Sequence, residues 1–454
     1  MSVIHDAPAP APSRPTLTRT FVLLGSLQVV LIFTLAAPAV PLPAIGHRFA
    51  LGRDELILLS AAYGLTFAGL LLFGGRLADR YGGRRALLAG LSLFAVASVA
   101  APLAPGYVPL LAARFAQGAG AAVVAPAAMA VLRTLFPEPA AYRRAMATWG
   151  GLSVLGATAG HLLSGVISAL LSWRWALAVS PVVALTALLL APRLLPADAG
   201  PRRVGGLDVP GAVLATGGLL AASYGLVVTD AWGWDSARVL GPLTAGVVLL
   251  GAFVVVERRV REPLLPSGFL RDGRRVLGLV ATACTAAGTS TVFVLFSLHL
   301  QDERGWSALR TSAAFLPVAA VLLVSGRVAG RLVGRYGPSA VTGGGLALGA
   351  AGLGLLAFSG FDTGTPYAVG VLPGFLLLPA GAAASFAGAA VLATDRVPAG
   401  RTGLAGGVHN TAMEVGPTVV FAVLLAVGSD ASSLALAAGL VALVAVAGRV
   451  AAHP

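Results

Sequence analysis

Along nearly the whole chain, runs of about 20 apolar residues alternate with short clusters of Arg, Gly and Pro. Such runs are too long for strands and match the thickness of a bilayer core. They predict fourteen spanning helices at roughly 20–45, 55–75, 85–105, 107–134, 143–170, 173–195, 208–229, 237–257, 274–300, 308–334, 338–358, 366–393, 401–428 and 430–450. The first run follows Arg14 and Arg19 and continues for about 26 residues, beyond the 7–15 of a signal h-region, so it reads as a span. The Pro- and Ala-rich residues ahead of it predict a disordered cytoplasmic segment over 1–19.

Composition turns this pattern into a class. Of 454 residues, 57% are apolar and 11% charged, whereas a soluble domain is about a quarter charged. That excludes a soluble multidomain enzyme, a disordered tail and a nucleic-acid binder. The formal charge of +13 comes from 31 basic residues, all Arg. They lie singly or in small groups between apolar runs, which is a topology signal rather than a nucleic-acid stripe. With the N-terminus inside, 24 arginines fall in inside segments or their flanks. Arg48, Arg53, Arg174, Arg238, Arg304 and Arg310 fall outside, and Arg114 lies within a span. This bias puts both termini in the cytoplasm, and the expected location is the plasma (inner) membrane. Cys284 is the only cysteine, and no Cys/His cluster has metal-site spacing. No GxxxxGK[ST] and no nucleophile triad occur, so an ATP-driven pump and an enzyme are both disfavoured, and no cofactor is expected.

An internal repeat supports the layout. Gly75-Arg-Leu-Ala-Asp-Arg-Tyr-Gly82 recurs as Gly330-Arg-Leu-Val-Gly-Arg-Tyr-Gly337, 255 residues later. Six helices at about 32 residues each account for only part of that spacing. Two extra helices, 208–229 and 237–257, fill the rest. The predicted architecture is therefore an all-α polytopic membrane protein: a six-helix bundle over 20–195, two linker helices within 196–262, and a second six-helix bundle over 263–454.

The segment after the second span reads Gly75-Arg76-Leu77-Ala78-Asp79-Arg80-Tyr81-Gly82-Gly83-Arg84-Arg85. Glycines permit a tight turn. Asp79 can pair with an arginine or with the positive end of a neighbouring helix. Gly75, Asp79, Arg80, Gly82, Arg84 and Arg85 together form a candidate latch that breaks when the bundles move; the plainer alternative is a basic loop serving topology. The eleven residues resemble the loop signature of the major facilitator superfamily. Arg114-Phe-Ala-Gln117-Gly118-Ala-Gly120 resembles that family's fourth-helix motif. Gly156, Gly160 and Ser164 recur every fourth residue and put small side chains on one helix face. They resemble the exporter motif, followed by Trp173-Arg174-Trp175. With Leu207-Asp-Val-Pro-Gly211, Glu257-Arg258-Arg259, Leu298-His-Leu-Gln301 and Asn410-Thr411 in order, the chain resembles the fourteen-helix drug/proton antiporter branch.

Departures from the family pattern redirect the search for chemistry. Aligned on Leu42-Pro43, the family's first-helix acid is Thr34 here, and its Asn is Ala39. Gly334 stands where the first copy of the repeat has Asp79. Only Arg114 and Glu414 are strongly ionisable residues well inside spans, where a charge costs about 2.5–3.5 kcal/mol. Glu414 shares a helical face with Gly407, Asn410 and Thr411. It is the candidate for carrying a coupling proton or pairing a cationic substrate in place of the missing acid; the alternative is a structural carboxyl bonded between helices. Arg114 either orients its helix through carbonyls and Gln117 or modulates charge near the cavity. Gln28, Thr34, Gln117, His161 and Asn410 are polar cavity-lining candidates, and Tyr63, Phe67, Phe293 and Phe296 could form an aromatic wall. Helix packing is the more ordinary explanation of such aromatics and of His161, and His299 and His409 read as interfacial or packing residues. Trp232 and Trp234 read as interface anchors.

The resemblance implies a secondary transporter that exports small lipophilic or cationic compounds by proton antiport. Its partners would be a small-molecule substrate, protons and the lipid bilayer, and it would work as a monomer. The alternatives are a proton-independent facilitator or metabolite exporter, and a non-transporting membrane sensor.

Overall fold

The computed structural model describes residues 14–39, 41–197, 208–230, 232–260, 263, 265–266, 268–398, 401–425 and 430–452. All regular structure among them is helical. In chain order the α-helices are α1 (Arg14–Ala36), α2 (Leu42–Phe49), α3 (Arg53–Tyr81), α4 (Gly83–Leu103), α5 (Tyr107–Leu135), α6 (Pro139–Leu170), α7 (Trp173–Leu194), α8 (Val209–Val227) and α9 (Ala237–Glu257). There follow α10 (Gly273–Leu298), α11 (Ala308–Ala314), α12 (Leu316–Tyr336), α13 (Pro338–Leu355), α14 (Tyr367–Gly370), α15 (Leu372–Thr394), α16 (Thr402–Leu425) and α17 (Asp430–Ala452). Eleven helices among the described residues are long and apolar enough to cross a membrane; α8 and α17 contain shorter apolar stretches.

Three differences from the sequence expectation have local causes. The first predicted helix, 20–45, is interrupted: α1 stops at Ala36, a 3₁₀ turn spans Ala37–Ala39, and α2 follows. Pro38, Pro41 and Pro43 each remove a backbone donor there. At its other end α1 begins at Arg14, so 14–19 belong to the helix, and 1–13 lie outside the described residues. The helix expected over 308–334 is divided at Phe315, two residues before Pro317, and the one over 366–393 at Val371, two before Pro373. The third difference bears on function. The signature expected as a loop is mostly helix: Gly75 to Tyr81 are the last two turns of α3, and only Gly82 turns the chain. Gly82 adopts φ +95° and its repeat counterpart Gly337 φ +82°, a region open to glycine without strain.

Two groups of helices pack side by side, α1–α7 and α10–α17, and α8 lies against α3 and α16 at their junction. Small residues set the spacing within each group. A methyl on Gly120 would meet the backbone of Phe94, and one on Gly345 the backbone of Ser385. Close backbone approach maximises van der Waals contact where lipid supplies no hydrophobic drive. The Gly156, Gly160 and Ser164 face packs α6 onto α1: a Cβ on Gly156 would lie 2.6 Å from the Val29 carbonyl oxygen, and the Ser164 hydroxyl donates to the Ala37 carbonyl. His161 lies in α6, and its side chain is outside those described.

Candidate functional site

The two groups touch most closely at the end bearing Gly82. There α3 and α16 run antiparallel. A Cβ on Gly75 or on Gly403 would collide with the other's carbonyl oxygen, and one on Gly407 would sit 2.6 Å from the Leu71 oxygen. The Asp79 carboxylate, 1% exposed, accepts hydrogen bonds from the Gly403 N–H (2.7 Å) and the Leu404 N–H (2.9 Å). These donors belong to the first turn of α16, where backbone N–H groups lack intrahelical partners and the helix dipole is positive. A second seam joins α6 to the other group: a Cβ on Gly150 would lie 3.0 Å from the Phe386 backbone. The arginines of the latch segment reach backbone carbonyls. Arg76 donates to Pro263, and Arg84 donates to Pro192 (2.7 Å). Arg80 lies over the Tyr81 ring, and Arg85 is exposed.

Beyond this contact α3 and α16 separate. Between them, on the side away from Gly82, lies a cavity of about 350 Å³. Its walls come from α1, α3, α6, α8, α10, α15 and α16, and are largely apolar, as in Ile32, Leu65 and Phe386. Glu414 is half-buried and is the one ionisable side chain among the described lining residues. This volume falls within the ~300–1,000 Å³ typical of small-molecule sites.

Of the residues singled out from sequence, the structure brings Glu414 and Phe293 to the cavity wall. The other described cavity candidates are buried, Asn410 at the seam between the two groups and the rest inside one group. Gln28 donates to the Ser153 hydroxyl (2.8 Å), so it supports a lining residue from behind. Thr34 is bonded to Ser180 (2.6 Å) and to its own helix at Val30. Asn410 donates to the Gly406 carbonyl (2.8 Å) and touches the Met129 sulfur at 3.4 Å. The aromatic wall is not continuous. Tyr63 and Phe67 pair at 5.6 Å in one group, while Phe296 stacks on Phe361 in the other, 0% exposed. His299 pairs with Glu303 at 2.8 Å, and His409 lies 3.4 Å from the Thr282 hydroxyl. Trp232 lies under the Arg238 guanidinium, and Trp234 is 42% exposed. Cys284 is a half-buried free thiol.

Arg114 is the centre of a buried network. It is 1% exposed and donates to the Thr34 carbonyl (2.9 Å) and the Gln117 side-chain oxygen (3.2 Å), while Gln117 donates to Ser98 (3.0 Å). The guanidinium lies 5.0 Å from the centre of the Tyr63 ring, a cation–π contact. The Tyr63 hydroxyl donates to the Leu31 carbonyl (2.8 Å).

The sequence profile of the Major Facilitator Superfamily matches residues 22–208 and 209–421. The chain belongs to this superfamily. Among curated relatives, this superfamily member is 37% identical over 417 residues to a puromycin resistance protein of Streptomyces alboniger, covering 92% of this chain and 82% of that one. It is 37% identical over 426 residues to a cephamycin export protein of Amycolatopsis lactamdurans, covering 92% and 86%. A tetracenomycin C resistance and export protein of Streptomyces glaucescens is 30% identical over 423 residues, covering 93% and 77%. In fold it resembles the human organic anion transporter MFSD10, with TM-score 0.67 at 17% identity, covering 96% and 99% of the two chains. It also resembles a proton:xylose symporter, with TM-score 0.66 at 15% identity and 95% of each chain. As a superfamily transporter, it is grouped by family with carriers rather than enzymes.

The sequence reading missed two things. One is the partner of Asp79, which only the approach of α16 supplies. The other is a set of lining serines, which carry no distinctive spacing.

Proposed function

We propose that this transporter exports small lipophilic or cationic molecules by alternating access, with the cavity as its binding site. The observation that carries the reading is Glu414, the one ionisable group in a largely apolar described lining. A single carboxylate can hold a proton or an organic cation, and competition between the two couples their movements. The apolar walls favour lipophilic bodies, and the resistance and export relatives support the outward direction.

The arginine bias supports a cytoplasmic location for the Gly82 end and for both termini in the plasma membrane. The cavity then lies on the outward side of a closed latch, the geometry of an outward-facing state. The reading has fourteen spans, adding α8, α16 and α17 to the eleven. It divides the chain into bundles over 20–195 and 263–454 with the linker pair within 196–262. The working unit is a monomer in lipid.

A specific observation favours a second reading, a proton-independent facilitator: Thr34 stands at the family's acid position and is fully engaged with Ser180. Purified protein in proteoliposomes separates the two. Antiport requires that an imposed pH gradient drive uptake of a fluorescent cation, and that Glu414→Gln abolish gradient-driven uptake while leaving the fold intact. Gradient-independent uptake that Glu414→Gln leaves unchanged establishes the facilitator.

A further inference from the structure

Serine and threonine hydroxyls inside helices usually return to a carbonyl one turn back. Thr289 does so in the cavity wall, bonding Thr285 at 2.8 Å, and Thr66 does so to Ala62 at 3.1 Å. Three serines of the cavity wall behave differently. Among the described residues, the hydroxyls of Ser60 on α3, Ser223 on α8 and Ser290 on α10 make no hydrogen bond. Ser223 is only 9% exposed. Ser60 is half-buried and Ser290 exposed, so these hydroxyls open onto the cavity and keep their hydrogen-bonding capacity for a bound ligand atom. The three come from three different helices, so they face one space from separate walls.

Ser223 is informative for a second reason. It belongs to the helix pair inserted between the two groups. The Thr216 hydroxyl donates to the Gly69 carbonyl of α3 (2.8 Å), and the apolar cluster of Leu72, Ala212, Ala215 and Phe253 is joined by Val408 of α16. Seated on both groups, α8 closes the side of the cavity, and about two turns beyond Thr216, the partner of Gly69, it presents Ser223 to the interior.

We propose that Ser60, Ser223 and Ser290 form a hydrogen-bonding subsite of the cavity, so that its preferred substrates are organic cations bearing hydroxyl or carbonyl oxygens, and that α8 is part of the binding site rather than a spacer. The proposal rests on the reading of the cavity as the substrate site. Glu414 recognises the charge; the serines distinguish oxygen-rich cations from bare lipophilic ones. Each neutral hydrogen bond changes affinity by about threefold to tenfold.

The test measures equilibrium binding to the purified full-length protein in lipid nanodiscs with two probes. Doxorubicin is a monocation rich in hydroxyl and carbonyl oxygens, and tetraphenylphosphonium is a cation without a hydrogen-bonding group. Doxorubicin is expected to bind at least about tenfold tighter than tetraphenylphosphonium. Ser60→Ala, Ser223→Ala and Ser290→Ala should each weaken doxorubicin about threefold to tenfold and leave tetraphenylphosphonium unchanged. Ser223→Thr, which keeps a hydroxyl, should restore binding. Absence of the doxorubicin preference overturns the proposal, as do serine variants that affect both probes equally or neither. Glu414→Gln separates the two levels. If it weakens both probes while the serine variants are silent, the cavity stands and the subsite falls. If it leaves both unchanged while the serine pattern holds, the subsite stands and the role given to Glu414 falls.

Discussion

Removing the Asp79 carboxylate should open the Gly82 end of the molecule. Asp79 is buried and accepts two N–H bonds, at 2.7 and 2.9 Å, from the first turn of α16. Hydrogen bonds to a charged group contribute about 1.5–3 kcal/mol each. The two share one carboxylate and do not add fully, so about 3 kcal/mol is a reasonable total, and it acts only while the two helices are in contact. Asp79→Ala should therefore shift the equilibrium between closed and open Gly82 ends by about 100-fold towards open. Asp79→Asn keeps one carbonyl acceptor but loses the charge, and should fall between wild type and alanine. The readout is the labelling rate of a cysteine at Ala405, which is 1% exposed and packs beside Leu404 and Phe269. In a Cys284→Ala background, a bulky water-soluble maleimide should react at least about tenfold faster when Asp79 is alanine. Equal rates in wild type, Asp79→Asn and Asp79→Ala would refute the argument that this carboxylate holds the two groups together.

Other perturbations test neighbouring parts of the argument. Gly403→Ala should mimic Asp79→Ala in the same labelling assay, because its methyl would collide with the Gly75 carbonyl. Arg114→Ala leaves Gln117 and the Thr34 carbonyl without their donor and should destabilise by about 2 kcal/mol or more, read as a lower melting temperature in detergent. Arg114→Lys keeps the charge but not the planar fork, so it should recover only part of that loss. In the segment between α13 and α15, the Asp362 carboxyl is held below the ordinary carboxylate range, first by the Thr365 hydroxyl and then by the Gly364 N–H. A depressed acid stabilises above its unfolded pKa, and that contribution is lost as pH falls through the folded value. Local order of this turn should therefore persist through pH 5 and weaken in stronger acid, and Asp362→Asn should remove the pH dependence seen by a spin label nearby. Loss of gradient-driven uptake in Glu414→Gln, with folding unchanged, is the corresponding test of the cavity charge.

How much of this was legible in the sequence depends on the scale of the feature. Runs of apolar residues set the helices, because a bilayer-spanning backbone must satisfy its polar groups internally. The repeat of Gly75–Gly82 at Gly330–Gly337 anticipated two related turns, and both glycines take positive φ. The signature also pointed to Asp79 meeting the positive end of a helix, although which helix was not legible. Proline positions were visible, yet the breaks after Ala36 and at Phe315 and Val371 were not placed. A proline limits the residue before it but does not by itself fix where a helix restarts.

The cavity was the harder part. Polarity at membrane depth picked out Gln28, Thr34, Gln117 and Asn410, and the structure shows these groups bonded to Ser153, Ser180, Ser98 and Gly406. A polar residue in a span must find a partner, but its own helix or a neighbouring one satisfies it as well as a cavity does. Which of the two occurs depends on the rotation of each helix about its axis, set by neighbours far away in sequence. The same rotation brings Ser60, Ser223 and Ser290, ordinary residues in apolar runs, to face one space. The sequence by itself determined a helical membrane protein, its repeat and its two intramembrane charges, because these follow from local composition and period. Only the tertiary structure decided that Glu414 meets the cavity while Arg114 is buried against the Thr34 carbonyl, Gln117 and the Tyr63 ring, because packing angle and helix rotation are properties of pairs of helices and are not carried by any one of them.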